Sequence, residues 1–181
     1  MRNIQLLEEI GFELDPETKR VLEILEKEPE VNEKFLAQAL GTKINTVRKA
    51  LYKLMHSGFV SYKKKRDKDK QWWYLYYWTL NPRRIKDVWV QHKKRELKKR
   101  ETELKTEQGN EFECERGCKK FDYNEALESE FKCPYCDSGM VEVDTSEEVE
   151  TLKKEIEEIE EELKQKAKDA EDTEKTEPEN S

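Results

Sequence analysis

The chain has 181 residues, a length that suits one ordinary domain or two small ones. Only 34% are apolar and 43% are Asp, Glu, Lys or Arg, too little apolar side chain for one large enzyme core. The net charge of -7 hides a split: residues 1–100 hold 24 basic and 14 acidic side chains, whereas residues 101–181 hold 11 and 28.

That asymmetry predicts a basic module facing nucleic acid or an acidic protein, followed by an acidic part that does not. No apolar run approaches the roughly 18 residues of a membrane span. Arg2 is followed by polar residues rather than a secretory h-region, so a cytoplasmic protein without membrane contact is expected.

Ile4, Leu7 and Ile10 give a weak helical face, broken at Gly11. Asp15 and Pro16 supply an N-cap and a first-turn proline for a helix whose apolar stripe is Val21, Leu22 and Leu25. Asn32 is placed to cap the next helix, with Val31 stapling onto Leu36 and Gly41 as the stop. Asn45 is expected to cap a third helix that buries Val47, Leu51, Leu54 and Met55 and ends at Gly58. The short join from Leu40 to Asn45 contains Gly41, which is the helix-turn-helix signature. Phe59 to Lys64 alternates as a strand, and Trp72 to Leu80 is aromatic and β-prone. Residues 65–70 between them form a charged hairpin tip. Three helices and a hairpin make a winged helix, predicted over residues 1–81.

Residues 82–109 have few breakers and dense charge, with Val90, Leu97 and Leu104 seven apart. One apolar residue per heptad is half a coiled-coil seam, so this stretch reads as a charged helical linker. All four cysteines fall in residues 110–144, spaced Cys114-x3-Cys118, fourteen residues, then Cys133-x2-Cys136. Two close pairs at that separation read as a four-thiolate zinc ribbon. A segment this short lies below the roughly 40 residues that usually need a metal or disulfides to fold. Two disulfides are the rival reading, and the reducing compartment favours zinc. Four thiolates leave no open metal position, so the zinc is structural. Neither His56 nor His92 offers the His-x-Glu of a zinc deaminase, so no enzyme is expected.

In residues 145–168, Val149, Leu152, Ile156, Ile159 and Leu163 repeat at spacings of 3 and 4, an amphipathic helix that would dock on the ribbon or on a partner. Residues 169–181 read as a disordered acidic tail. The fold class is therefore α+β and multi-domain: winged helix, helical linker, zinc ribbon, short amphipathic helix and tail.

The candidate contact surface combines charge and aromatic rings. Lys63, Lys64, Lys65, Arg66, Lys68 and Lys70 crowd the tip, and the third helix adds Arg48, Lys49 and Lys53. Such cations suit phosphates, with binding that weakens steeply as salt rises. The run around Trp72, Trp73, Tyr76 and Trp78 lies on a strand, whose faces alternate, so half of it points at the core and half outward. An outward ring suits a protein or an unstacked base, which is worth roughly 1–3 kcal/mol when stacked.

Residues 44–54 (Ile44-Asn45-Thr46-Val47-Arg48-Lys49-Ala50-Leu51-Tyr52-Lys53-Leu54), the Tyr62 strand, the charged tip and the strand from Trp73 to Trp78 closely resemble the winged helix of the archaeal transcription factor E family, counterpart of the TFIIE alpha subunit. Phe112-Glu113-Cys114, Phe121, Asn124-Glu125-Ala126-Leu127 and Phe131-Lys132-Cys133-Pro134-Tyr135-Cys136 resemble its ribbon. The Cys114-x3-Cys118 pair is one residue longer than the usual knuckle. The resemblance implies a general initiation factor without enzymatic activity. It implies binding to the RNA polymerase clamp and stalk, cooperation with TATA-binding protein, and contact with promoter DNA, including the melted non-template strand. It further implies Cys114, Cys118, Cys133 and Cys136 as zinc ligands, and a monomer in an archaeal cytoplasm. The alternative is a sequence-specific winged-helix repressor or activator reading duplex DNA through the third helix.

Overall fold

The computed structural model describes residues 3–66, 74–109 and 111–174, with side chains described as far as residue 167. Contacts divide the chain into two compact units between His92 and Lys93.

The first unit runs α1 (Asn3–Glu9), α2 (Pro16–Leu25), β1 (Val31–Asn32), α3 (Glu33–Leu40), α4 (Ile44–His56), β2 (Val60–Arg66), β3 (Tyr74–Leu80) and the start of α5 (Pro82–Gly109). Local chemistry sets the helix starts. The Asp15 carboxylate accepts from the Thr18 amide at 2.8 Å, and Asn32 Oδ1 accepts from the Phe35 amide at 2.8 Å. Gly41, at φ 61°, takes the left-handed position that closes α3, where a side chain would be strained. The third start differs from expectation: α4 begins at Ile44, with Lys43 in the N-cap position and no side-chain cap. The chain turns tightly after Gly41, and the Lys43 carbonyl accepts from the Thr46 and Val47 amides, which leaves Asn45 inside the first turn. The buried face is Val47, Ala50, Leu51 and Leu54, while Met55 is half-buried.

The sheet has order β1-β3-β2, all antiparallel, and Tyr62 faces Trp78 across the hairpin. β1 was not expected, because two residues carry no readable alternation; Val31 pairs with Trp78 and Asn32 with Tyr77. Leu7, Leu22, Leu36, Leu51, Leu54, Trp78, Ile85 and Trp89 fill the core, each almost wholly buried. The break expected after residue 81 follows the end of β3, whereas burial of Ile85 and Trp89 carries the compact unit to His92. Trp89 Nε1 donates to Glu9 Oε2 at 2.5 Å and ties α5 to α1.

The second unit contains the rest of α5, β4 (Phe112–Cys114), β5 (Lys120–Phe121), α6 (Tyr123–Glu128), β6 (Met140–Glu142) and α7 (Ser146–Glu174). Its sheet order is β5-β4-β6, around a core of Cys114, Phe121, Ala126 and Cys133. Helix α7 lies along α5. Lys93 pairs with Glu162 at 2.8 Å and Arg100 with Glu155 at 3.0 Å, so seven residues forward on α5 match seven back on α7, an antiparallel pair. Ile159 is buried, and Val149, Leu152, Ile156 and Leu163 are half-buried, as are Leu97 and Leu104. The half seam read in α5 thus finds its other half in α7. The helix also continues through Glu174, six residues into the stretch read as a disordered tail. Of residues 169–174, Ala170, Glu171 and Glu174 favour helix, and no apolar period announces it. Residues 175–181 lie outside the described residues.

Candidate nucleic-acid interface and metal centre

The four cysteine sulfurs all lie within 4.8 Å of one another, with Cys114 and Cys136 at 3.4 Å. A tetrahedron of thiolates about 2.3 Å from zinc has sulfurs roughly 3.8 Å apart, so the cluster has the size of a metal centre. The extra residue of the first knuckle is absorbed at Gly117, whose φ of 69° lets its amide reach the Cys114 carbonyl at 2.7 Å. The Arg116 amide approaches Cys114 Sγ at 3.4 Å. Hydrogen bonds from the Ser138 amide and hydroxyl pull the Cys136 thiol down to about 6. Cys118, sharing hydrogen bonds with Cys136 and then Cys114, is pushed up to about 12. Burial raises Cys133 against the pull of the Tyr135 and Cys136 amides. Amides aimed at crowded sulfurs stabilise thiolates, the form that ligates a metal. These four residues could therefore hold a metal ion.

The hairpin has two unlike faces. Period-two alternation puts Val60, Tyr62, Lys64 and Arg66 on one face with Tyr74, Tyr76, Trp78 and Leu80. Near the helices this face is core: Trp78, expected among the contact residues, is only 1% exposed and lies beyond the reach of an external partner. The cause is register, which sets Trp78 beside α4, with its ring 5.9 Å from that of Tyr52. Above it, Tyr62 lies 5.1 Å from Trp78 and 5.3 Å from Tyr76. Tyr52 and Tyr62 are 45% and 46% exposed, so a ring cluster rooted in the core opens to solvent between α4 and the wing. Farther out, Lys64 Nζ sits 3.8 Å from the Tyr74 ring centroid.

The opposite face carries Lys63, Lys65 and Tyr77. Glu30 binds Lys65 at 2.6 Å and Lys63 at 3.7 Å, and Lys65 also lies over the Tyr77 ring at 4.7 Å. The Lys65 hydrogen bond holds the Glu30 carboxyl below its ordinary range.

On α4, Arg48 Nε donates to Glu33 Oε2 at 2.6 Å, and Glu33 is only 7% exposed, so this arginine braces α3 against α4. Lys53 pairs with Asp15 at 3.4 Å and lies 5.8 Å from the Phe12 ring. Lys49 and Arg66 are exposed. Lys68, Lys70, Trp72 and Trp73 fall outside the described residues. The structure therefore brings Tyr76 together with two rings absent from the expected set, Tyr52 and Tyr62. The signal for Tyr62 was its position in alternation with Val60. For Tyr52 it was an aromatic residue among Lys49, Lys53 and His56 on the polar side of an otherwise amphipathic helix.

Among the described residues no helix is long and apolar enough to cross a membrane. A winged helix and a ribbon with a clustered four-cysteine centre stand on one chain, a combination of a nucleic-acid-binding fold type with a metal-ribbon module. The family model of the TFIIE alpha subunit matches residues 5–109. Transcription factor E of Metallosphaera sedula is 38% identical over 136 residues, covering 75% of this chain and 77% of that protein. Transcription factor E of Thermococcus kodakarensis is 36% identical over 157 residues, covering 86% and 83%. A possible transcriptional regulator from Methanosarcina mazei Go1 aligns at a TM-score of 0.35 and 18% identity, over 48% of this chain and 78% of that one. The chain belongs to the TFIIE alpha and transcription factor E family, general transcription initiation factors rather than enzymes.

Proposed function

We propose that this protein stabilises the opened promoter by binding RNA polymerase at its clamp and stalk, in cooperation with TATA-binding protein, while its winged helix meets the melted non-template strand. The observation that carries the reading is the ring cluster of exposed Tyr52 and Tyr62 with half-buried Tyr76, above buried Trp78. Rings fixed from below lose little freedom when a base or a partner side chain stacks on them, and each stacked base adds roughly 1–3 kcal/mol. Lys49, Lys64 and Arg66 supply phosphate contacts nearby; the sequence assigns Lys68, Lys70, Trp72 and Trp73, outside the described residues, to the same role. Two modest contacts on one chain reinforce one another through effective concentration.

In this reading Cys114, Cys118, Cys133 and Cys136 hold a structural zinc ion that folds the ribbon and performs no chemistry. The modules act as a winged helix, a helical connector and a ribbon, in a cytoplasmic monomer. Duplex reading through α4 is disfavoured, because Glu33 already engages Arg48 and Asp15 engages Lys53.

The test is a Tyr52→Ala/Tyr62→Ala variant in a reconstituted initiation assay with purified polymerase and basal factors. Permanganate reactivity of promoter thymines should fall several-fold, while far-UV circular dichroism and zinc content stay those of the parent. Unchanged reactivity with an intact fold would refute the role of the ring cluster.

A further inference from the structure

Helix α5 carries a dense positive charge that neither the ring cluster nor the metal centre uses. Its pairing with α7 consumes one side: Lys93 and Arg100 meet Glu162 and Glu155, and Leu97 and Leu104 lie in the same seam. At 100° per residue, Lys94, Arg95, Lys98, Lys99 and Lys105 project away from that seam, and all five are exposed. The acidic residues flanking them are Glu96, half-buried and 3.6 Å from Lys93, Glu101, exposed, and Glu103, which lies 3.6 Å from Lys99 and 2.8 Å from Arg100. We propose that this outward face of α5, from Lys94 to Lys105, docks on the phosphate backbone of duplex DNA.

Three observations select that occupant. First, no large apolar side chain is exposed on residues 93–109, the exposed ones lying in the winged helix and the ribbon. Protein interfaces draw their energy from aromatic and apolar anchors and are depleted in lysine, so a protein partner fits this face poorly. A single strand also fits poorly, because it needs rings on which bases stack. Second, the span and charge match. From Lys94 to Lys105, twelve residues, the helix rises about 17 Å, a length over which one DNA strand presents roughly five phosphates. Third, the outer side of α7 is net negative: it exposes Glu147, Glu150, Glu157, Glu158 and Glu161 against Lys153, Lys154 and Lys164, and Lys154 is paired with Glu150 at 2.9 Å, so this side repels a polyanion more than it attracts one. By covering the seam with its own carboxylates, α7 directs the basic face of α5 outward. This contact needs neither polymerase nor the ring cluster, so it stands or falls apart from the preceding reading.

The experiment uses the full zinc-loaded chain and a fluorescent duplex of about 30 base pairs, followed by anisotropy between about 50 and 200 mM salt. The wild-type protein should bind with a linear fall of log affinity against log salt. Lys94→Gln/Lys98→Gln/Lys99→Gln should reduce that slope by about 2.7, since each phosphate contact contributes about 0.9. It should also weaken binding at least tenfold at the low-salt end. Lys and Gln have similar helix propensity, so α5 should survive the change. Glu101→Lys should act in the opposite sense, raising affinity and steepening the slope by about 0.9. Absence of duplex binding by the wild type at about 50 mM salt would overturn the proposal. So would a folded triple variant with affinity within twofold and the same slope, an unresponsive Glu101→Lys protein, or tighter binding to a single strand of equal length.

Discussion

Replacing Trp78 by Ala separates a core residue from a contact residue. The side chain is 1% exposed, opposes Tyr62 across the hairpin, and touches the rings of Tyr52 and Tyr62. Truncating a large buried aromatic costs about 3–5 kcal/mol. Against about 5–14 kcal/mol for a unit of some 90 residues, that loss should lower the melting temperature by roughly 15–30 °C. Trp78→Phe has a different expected result. The indole Nε1 is buried without a hydrogen-bond partner, a defect of about 1–3 kcal/mol that phenylalanine removes while keeping most of the ring. Its cost should therefore be about 1 kcal/mol or less. Urea unfolding followed by far-UV circular dichroism measures both. A Trp78→Ala loss below about 1 kcal/mol, or a Trp78→Phe loss equal to it, would refute the placement of this ring in the core.

Other consequences are as specific. Metal analysis should find one zinc per chain, and chelation should unfold residues 111–143 while the winged helix melts as before, since a structural zinc contributes on the order of 10–16 kcal/mol. Burial acts to raise the Asp15 carboxyl, but bonds from Thr18 and Lys53 outweigh it and hold it below its ordinary 3.8. A depressed pKa gives stability that is present above the ordinary value and lost as pH falls through the folded one. Asp15→Asn, which preserves an N-cap, should flatten the stability profile as pH falls below about 4, and an unaltered acid limb would contradict the assignment. Arg100→Glu should loosen α7 from α5 by about 0.5–1 kcal/mol, and adding Glu155→Arg should restore it, as a double-mutant cycle on amide exchange in α7 would show.

What could be read from sequence was local. The caps at Asp15 and Asn32, the stop at Gly41 and the two cysteine knuckles each rest on residues a few positions apart, and each formed as expected. What escaped was set by distant partners. Which face of the aromatic strand is core depends on the β2–β3 register and on the approach of α4, so sequence alone sets Trp78 among the contacts and leaves Tyr52 out. The role of Arg48 depends on Glu33, fifteen residues away on another helix. Pairing of α5 with α7 joins segments some fifty residues apart, and one apolar residue per heptad in α5 does not name its partner. Two-residue β1 carries no pattern at all, and exists because β3 offers it an edge.

Promoter opening itself reports on whether this chain stabilises an opened promoter. Purified polymerase, TATA-binding protein and the remaining basal factors would be assembled on a natural promoter, with and without the zinc-loaded protein, and the thymines around the start site probed with permanganate. Reactivity should be several-fold greater when the protein is present, most evidently at low temperature where melting is hardest. Equal reactivity with and without a folded, zinc-loaded protein bound to the assembly would contradict it.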